Sequence, residues 1–353
     1  MGRHREALER YAKILGTAPR DTEALIATAN VHLALGELDQ ARTIALSLVG
    51  TPVQESMGQY VIGRIALVQR QNEEAVLALA RATRLDPRHG AAWAALGDAY
   101  LALNDGAKAR EALDKAAALP GVDSGVLRRL AELESRAGRH APALAALERA
   151  IALEPADPEL RLAQARTLAA LTRWHESGNA AREAQRLLPK SVEPLLLAAD
   201  AAHRQGKNGE AIETLKRALA LNPDSFDVQF RLGRSYAENN RYEDAQLHLE
   251  RAARLDDRND APLLLLAEMN LERRNYDAAI ATLTQVVGRS PTEANRRQLD
   301  VAYDLKKKSQ TGTGARLVIE DLRLTRVFAS AHRQYATERL GQVRVRNDTN
   351  DDY

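Results

Sequence analysis

Apolar and small residues recur along this chain in a fixed order. Between Gly90 and Pro120, the residues Trp93, Leu96, Gly97 and Tyr100 share one face of a predicted helix. Ala109, Leu113 and Ala116 do the same on a second helix, and Asn104-Asp105-Gly106 between them is a turn signal. The pattern predicts a helical hairpin with a knobbed inner face and small residues where the two helices come closest.

The hairpin repeats. The closing position reads Pro19, Val53, Pro87, Gly121, Pro155, Pro189, Pro223, Asp257 and Pro291, each 34 residues after the last, with Pro52 and Pro120 one residue early. The small position of the second helix reads Ala7, Ala41, Ala75, Ala109, Ala143, Ser177, Ala211, Ala245 and Ala279 in the same register. Each hairpin is amphipathic and buries its face only against the next, so the unit of the fold is the repeat.

A hairpin of this period carrying these residues resembles the tetratricopeptide repeat, and the copy from Gly90 to Pro120 matches that family's large and small positions throughout. The resemblance implies an all-α fold, a right-handed superhelical α-solenoid of about eight helix-turn-helix repeats with a short C-terminal helix or strand extension. The solenoid is expected over residues 1–309: a half repeat at 2–19, repeats ending near 53, 87, 121, 155, 189, 223, 257 and 291, and a capping helix to about 308. Residues 310–353 read as a linker and the truncated opening of a second, β-rich domain. Because 2–19 lacks a first helix, the chain reads as a fragment of a longer one.

Along the solenoid, Pro158, Pro194 and Pro262 fall in the first turn of a helix, where a missing N–H costs little. The copy ending at Pro189 is the weakest by pattern: Ser177 replaces Ala, Gly178 lies inside the second helix and Trp174 falls in the turn, so local looseness is expected there. After Leu299, Ala302 and Leu305 the periodic row breaks at the run Lys306 to Gly314, which reads as linker. Beyond it Leu324, Phe328, Ala331 and Tyr335 share a helical face, and Gln342 to Arg346 alternate like a strand.

Composition narrows the chemistry. The chain is 45% hydrophobic but 4% aromatic, which suits stacked Ala and Leu helices rather than a β-sandwich. Net charge is +2, so no global field favours nucleic acid or acidic lipid. The basic end, Arg296 to Arg346, could attract either, but aromatic interleaving is sparse and nucleic acid is not the expected partner. With no cysteine, disulfides, Cys zinc sites and thiol catalysis are excluded for this sequence. The eight histidines are spread among different copies without metal spacing, and no Gly-rich phosphate loop follows a strand. No cofactor, no metal and no enzymatic activity are therefore expected. No run of about 18 apolar residues and no secretory leader is evident, so a soluble cytoplasmic or periplasmic chain is expected. The Ala, Arg and Leu bias is compatible with a bacterial source.

The resemblance further implies that the fifth and ninth positions of each first helix face a concave groove. The fifth reads Ile26, Tyr60, Ala94, Arg128, Leu162, Leu196, Phe230 and Leu264, an apolar track with one interruption. The ninth reads Asn30, Arg64, Asp98, Glu132, Arg166, Asp200, Arg234 and Glu268. An apolar lane edged by mixed charge suits an extended or helical peptide or a partner protein, charges setting register and apolar contact supplying affinity. Part of that lane could instead pack against neighbouring helices. The carboxylate-binding members of the family use Lys and Asn in these rows, and here only Asn30 corresponds. Arg128, Arg136 and Arg166 could form an anion patch or, with Glu132 among them, a neutralised network. A protein-interaction scaffold is the resulting expectation. Its rivals are a substrate-presenting arm of a larger enzyme and a structural spacer in an envelope or secretion assembly.

Overall fold

The computed structural model describes residues 2–310 and the backbone of 317–322 and 343–347. A single helix, α1 (Gly2–Thr17), precedes the first hairpin, α2 (Thr22–Leu35) with α3 (Leu38–Ser47). Four more follow: α4 (Pro52–Val68) with α5 (Asn72–Leu85), α6 (Gly90–Ala102) with α7 (Gly106–Ala118), α8 (Ser124–Arg136) with α9 (His140–Leu153), and α10 (Pro158–Ala170) with α11 (Trp174–Leu187). Then come α12 (Glu193–Arg204) with α13 (Asn208–Leu221), α14 (Phe226–Glu238) with α15 (Tyr242–Leu255), and α16 (Ala261–Glu272) with α17 (Tyr276–Arg289), before α18 (Glu293–Gln310). Finally β1 (Leu317–Leu322) pairs antiparallel with β2 (Val343–Asn347), with an irregularity between Ile319 and Asp321. The strand partner of the Gln342 to Arg346 stretch thus lies upstream of it; the helical face through Leu324, Phe328, Ala331 and Tyr335 falls outside the described residues. The chain divides into two compact units, Met1–Pro189 and Lys190–Tyr353, and the helices of each form an α-solenoid.

Each hairpin turns at the same register position, on a residue in the left-handed region: Gly36, Arg70, Asn104, Gly138, Thr172, Gly206, Asn240 and Arg274. The N–H next after each of them bonds back five residues, as from Asp105 to Tyr100 O at 2.9 Å and from Arg173 to Leu168 O at 2.9 Å. This closure satisfies carbonyls that the helix end would leave orphaned. Asp21, Thr51, Asp123, Asp157 and Ser225 cap first helices, and Asp105 the second helix α7, each side chain accepting from a backbone N–H.

Packing rests on the small rows. Ala41, Ala75, Ala109 and Ala143 in the first unit, and Ala211, Ala245 and Ala279 in the second, have no exposed surface. An equally small row on the first helices faces them, and Gly97 shows why. A Cβ there would lie 2.7 Å from Leu113 Cγ and 3.4 Å from Ala109 O, so α6 and α7 cross where only hydrogen fits.

Four details differ from the sequence reading. Pro52 does not close a repeat: Thr51 caps α4 and Pro52 opens it, where its missing N–H is harmless. Trp174 begins α11 rather than filling the turn. Ser177 is no packing defect, since it is 1% exposed and its hydroxyl donates to Ala165 O at 2.8 Å. Lastly, α18 ends at Gln310, near the expected end of the capping helix, and holds as helix the lysines that the broken pattern read as linker, because Lys is a good helix former on a solvated face and Lys306 reaches Asp277 of α17.

Candidate functional site

The residues at the fifth and ninth positions are described unit by unit. In the first unit, Ile26 on α2 is half-buried. Tyr60 on α4 is half-buried too, its ring 4.9 Å from that of His89 and 5.7 Å from the Arg64 guanidinium. His89 meets Ser56 Oγ at 2.9 Å, and burial lowers its pKa against the raising effect of Asp86. Arg64 donates to Asn30 Oδ1 at 3.0 Å, so two ninth-position residues of adjacent repeats bond each other. Asp98 pairs with Arg129 at 2.9 Å. Burial pushes the Asp98 carboxyl up, with the Arg129 guanidinium pulling it down and Asp123 adding to the rise.

The apolar track is not continuous. Ala94 is 6% exposed and Leu162 1%, so neither offers a surface to a ligand. Ala94 and Leu162 are packed into the seam between helices, whereas Arg128 at the same repeat position is exposed and Tyr60 half-buried. Beyond Leu162 the seam opens into a cavity of about 300 Å³. It is lined by Arg128, Glu132, Ser135 and Arg136 of α8, by His140 at the start of α9, and by Arg166 and Thr167 of α10. The structure therefore brings together Arg128, Glu132 and Arg166 from the predicted rows, and Arg136 with them. Glu132 makes no ion pair among the described residues, nor do Arg128 and Arg136, whereas Arg166 has a partner within the chain. Thr167 Oγ1 is committed to Ala163 O at 2.8 Å, and His140 Nδ1 is shielded from solvent without a hydrogen-bond partner.

In the second unit, Leu196 and Asp200 of α12 line a cavity of about 420 Å³ with Leu197, Asn222, Ser225, Asp227 and Arg231. Asp200 is paired with Arg231. Phe230 is half-buried and stacks on Phe226 with ring centres 5.8 Å apart, and Leu264 is half-buried among Leu263, Ala267 and their neighbours. Arg234 sits 4.0 Å from Glu238, and burial lowers its pKa against the opposing pull of Glu238 and Asp200. Glu268 is exposed and has a partner within the chain.

Sequence reasoning missed His140 and Ser135, which gave no signal, and Arg129 and Arg231, which did. Those two arginines occupy the same repeat position, and each pairs with a ninth-position Asp of the preceding repeat. Among the described residues no three His, Asp or Glu side chains form a group that could hold a metal, and no helix is long and apolar enough to cross a membrane.

Family models described as tetratricopeptide repeat match residues 1–60 and 202–256, and, in a second model, residues 60–123, 162–226 and 230–294. A comparison with curated protein sequences finds no match. Among solved structures, the C-terminal part of a TPR repeat-containing protein from Cytophaga hutchinsonii aligns with a TM-score of 0.58 at 10% identity, over 68% of this chain and 99% of that one. YrrB, described as a TPR protein with an unusual peptide-binding site, aligns at 0.44 and 18% identity over 63% of this chain and 96% of its own. The APC/C hetero-tetramer Cut9-Hcn1 aligns at 0.43 and 18% identity over 75% of this chain, which spans about half, 52%, of that one. Two helices per 34-residue step, turned on a left-handed residue and packed on Ala and Gly rows, agree with the two family models, which together match most of the sequence: the chain belongs to the tetratricopeptide repeat family.

Proposed function

We propose that this chain, an interaction scaffold by fold, binds peptide segments of a partner protein along the fifth- and ninth-position face of its first helices. The observation that supports this reading is where the cavities fall. In the first unit the cavity is lined by Arg128, Glu132 and Arg166, and in the second by Leu196 and Asp200, all of them positions of those two rows. Such pockets combine apolar walls with a few polar groups that fix orientation. A spacer has no use for them.

The test is a random peptide display screen on the purified chain, followed by anisotropy titrations of the enriched peptides. We expect the double variant Arg128→Ala/Arg166→Ala, or Leu196→Gln, to lose at least tenfold in affinity while keeping the wild-type helical circular dichroism. Peptides that bind all forms equally, or a screen that enriches nothing, would overturn the reading.

A further inference from the structure

The cavity between α8 and α10 has a charge order that specifies more than a general anion. Arg128, Glu132 and Arg136 succeed one another at four-residue intervals on one face of α8, plus, minus, plus. At a rise of about 1.5 Å per residue the two arginine Cα atoms stand about 12 Å apart, with the carboxylate midway. Both arginines are exposed and make no ion pair among the described residues, and Glu132 is likewise exposed and unpaired. A single compact dianion seated between the arginines would meet the Glu132 carboxylate, and like charges at such range repel. Two separate carboxylates, one on each arginine, avoid it.

An extended peptide has that spacing. At about 3.3 Å per residue, side chains four residues apart stand about 13 Å apart on one face of a strand, and the residue between them, two along, points the same way. Each guanidinium presents a planar fork that a carboxylate fills with two hydrogen bonds. The central residue then faces Glu132, which accepts only, so it must be a donor: Lys, Arg, Asn or Ser. Resting on the peptide-binding reading above, we propose that this cavity recognises an extended acidic peptide of the form acidic, any, donor, any, acidic.

The probe is fluorescein-labelled Gly-Glu-Ala-Lys-Ala-Glu-Gly, with three comparison peptides: one with both Glu changed to Gln, one with the central Lys changed to Ala, and one with a single phosphoserine in place of the three charged residues. On the full chain at low salt the Glu peptide is expected to bind at least tenfold more tightly than the Gln form. Arg128→Ala and Arg136→Ala should each remove most of that difference, while Arg84→Ala on α5, outside the cavity, should not. Glu132→Gln should keep the preference for Glu and lose the preference for Lys at the centre. No preference for Glu over Gln would overturn the proposal, and so would tighter binding of the phosphoserine peptide with the same arginine dependence. If the display screen yields binders that depend on Arg166 but lack an acidic pair, the acidic motif falls and the peptide-binding reading stands; if no binder depends on any residue of the cavity, both fall for this unit.

Discussion

Thr172 sits at φ 58°, a β-branched residue in the left-handed region, at the position where other repeats place Gly36, Gly138 and Gly206 or Asn104 and Asn240. Branching at Cβ crowds the backbone there, and a non-glycine residue in this region costs about 1–2 kcal/mol. Asn tolerates the conformation and avoids the chain entropy that Gly adds to the unfolded state. Thr172→Asn should therefore stabilise the chain by roughly 0.5–1.5 kcal/mol, and the reverse exchange in a better turn, Asn104→Thr, should destabilise it by a similar amount. Thermal melts of the two variants should shift in opposite directions. If both fall, the turn geometry is not what limits this repeat. The copy ending at Pro189 does read as weak in the sequence, but for the wrong residue: Ser177 is buried and hydrogen-bonded, while the strain lies five positions earlier, at a turn residue whose φ no spacing rule shows.

Between elements, Glu134 on α8 is a buried charge, 2% exposed, held by Arg110 of α7 at 2.5 Å and by Arg139 in the turn before α9. Burial alone would raise its pKa, but hydrogen bonds from Arg139 and Arg110 and their charges together hold it below the ordinary 4.5. A carboxyl whose folded value is depressed contributes stability that is fully present above its unfolded pKa and is lost as pH falls through the folded one. This contribution should thus be constant from about pH 6 upward and fade below about pH 4.5. Glu134→Gln should cost roughly 1.5–3 kcal/mol near neutrality, since hydrogen bonds to a charged group are replaced by neutral ones. Urea melts of both proteins should converge as pH drops toward 3.5. A gap that stays constant down to that pH would show that packing, not charge, accounts for the loss. This clamp stitches one hairpin to the next, α7 to α8 and α9, a link that helical periodicity does not encode.

At the scale of the chain, the two-helix repeat, the small rows and the hairpin turns are legible in the sequence because each depends on residues within one or two repeats. The candidate cavities are legible only in part. Arg128 could be placed on the fifth-position row and Glu132 and Arg166 on the ninth, but whether Leu162 fills the seam and where the seam opens depend on how closely α8 and α10 approach, which is set by side chains on several elements. The division into two compact units after Pro189 is not legible either, for the 34-residue register runs through it unbroken. Its consequence is thermodynamic. In a repeat array stability is a sum of local and nearest-neighbour contributions, so cooperativity extends only as far as each interface couples its two sides. The first unit has cores of its own around Leu113, Leu127 and Leu147 and around Leu79 and Leu96, and the second around Leu215, Leu232 and Leu249. Calorimetry of the whole chain should then give a van't Hoff enthalpy well below the calorimetric one, the mark of more than one cooperative block. A fragment ending at Pro189 should keep the helical signal per residue of the whole chain and melt with one of its transitions. Equal enthalpies in the whole chain, with an unfolded fragment, would mean that both units melt as a single block.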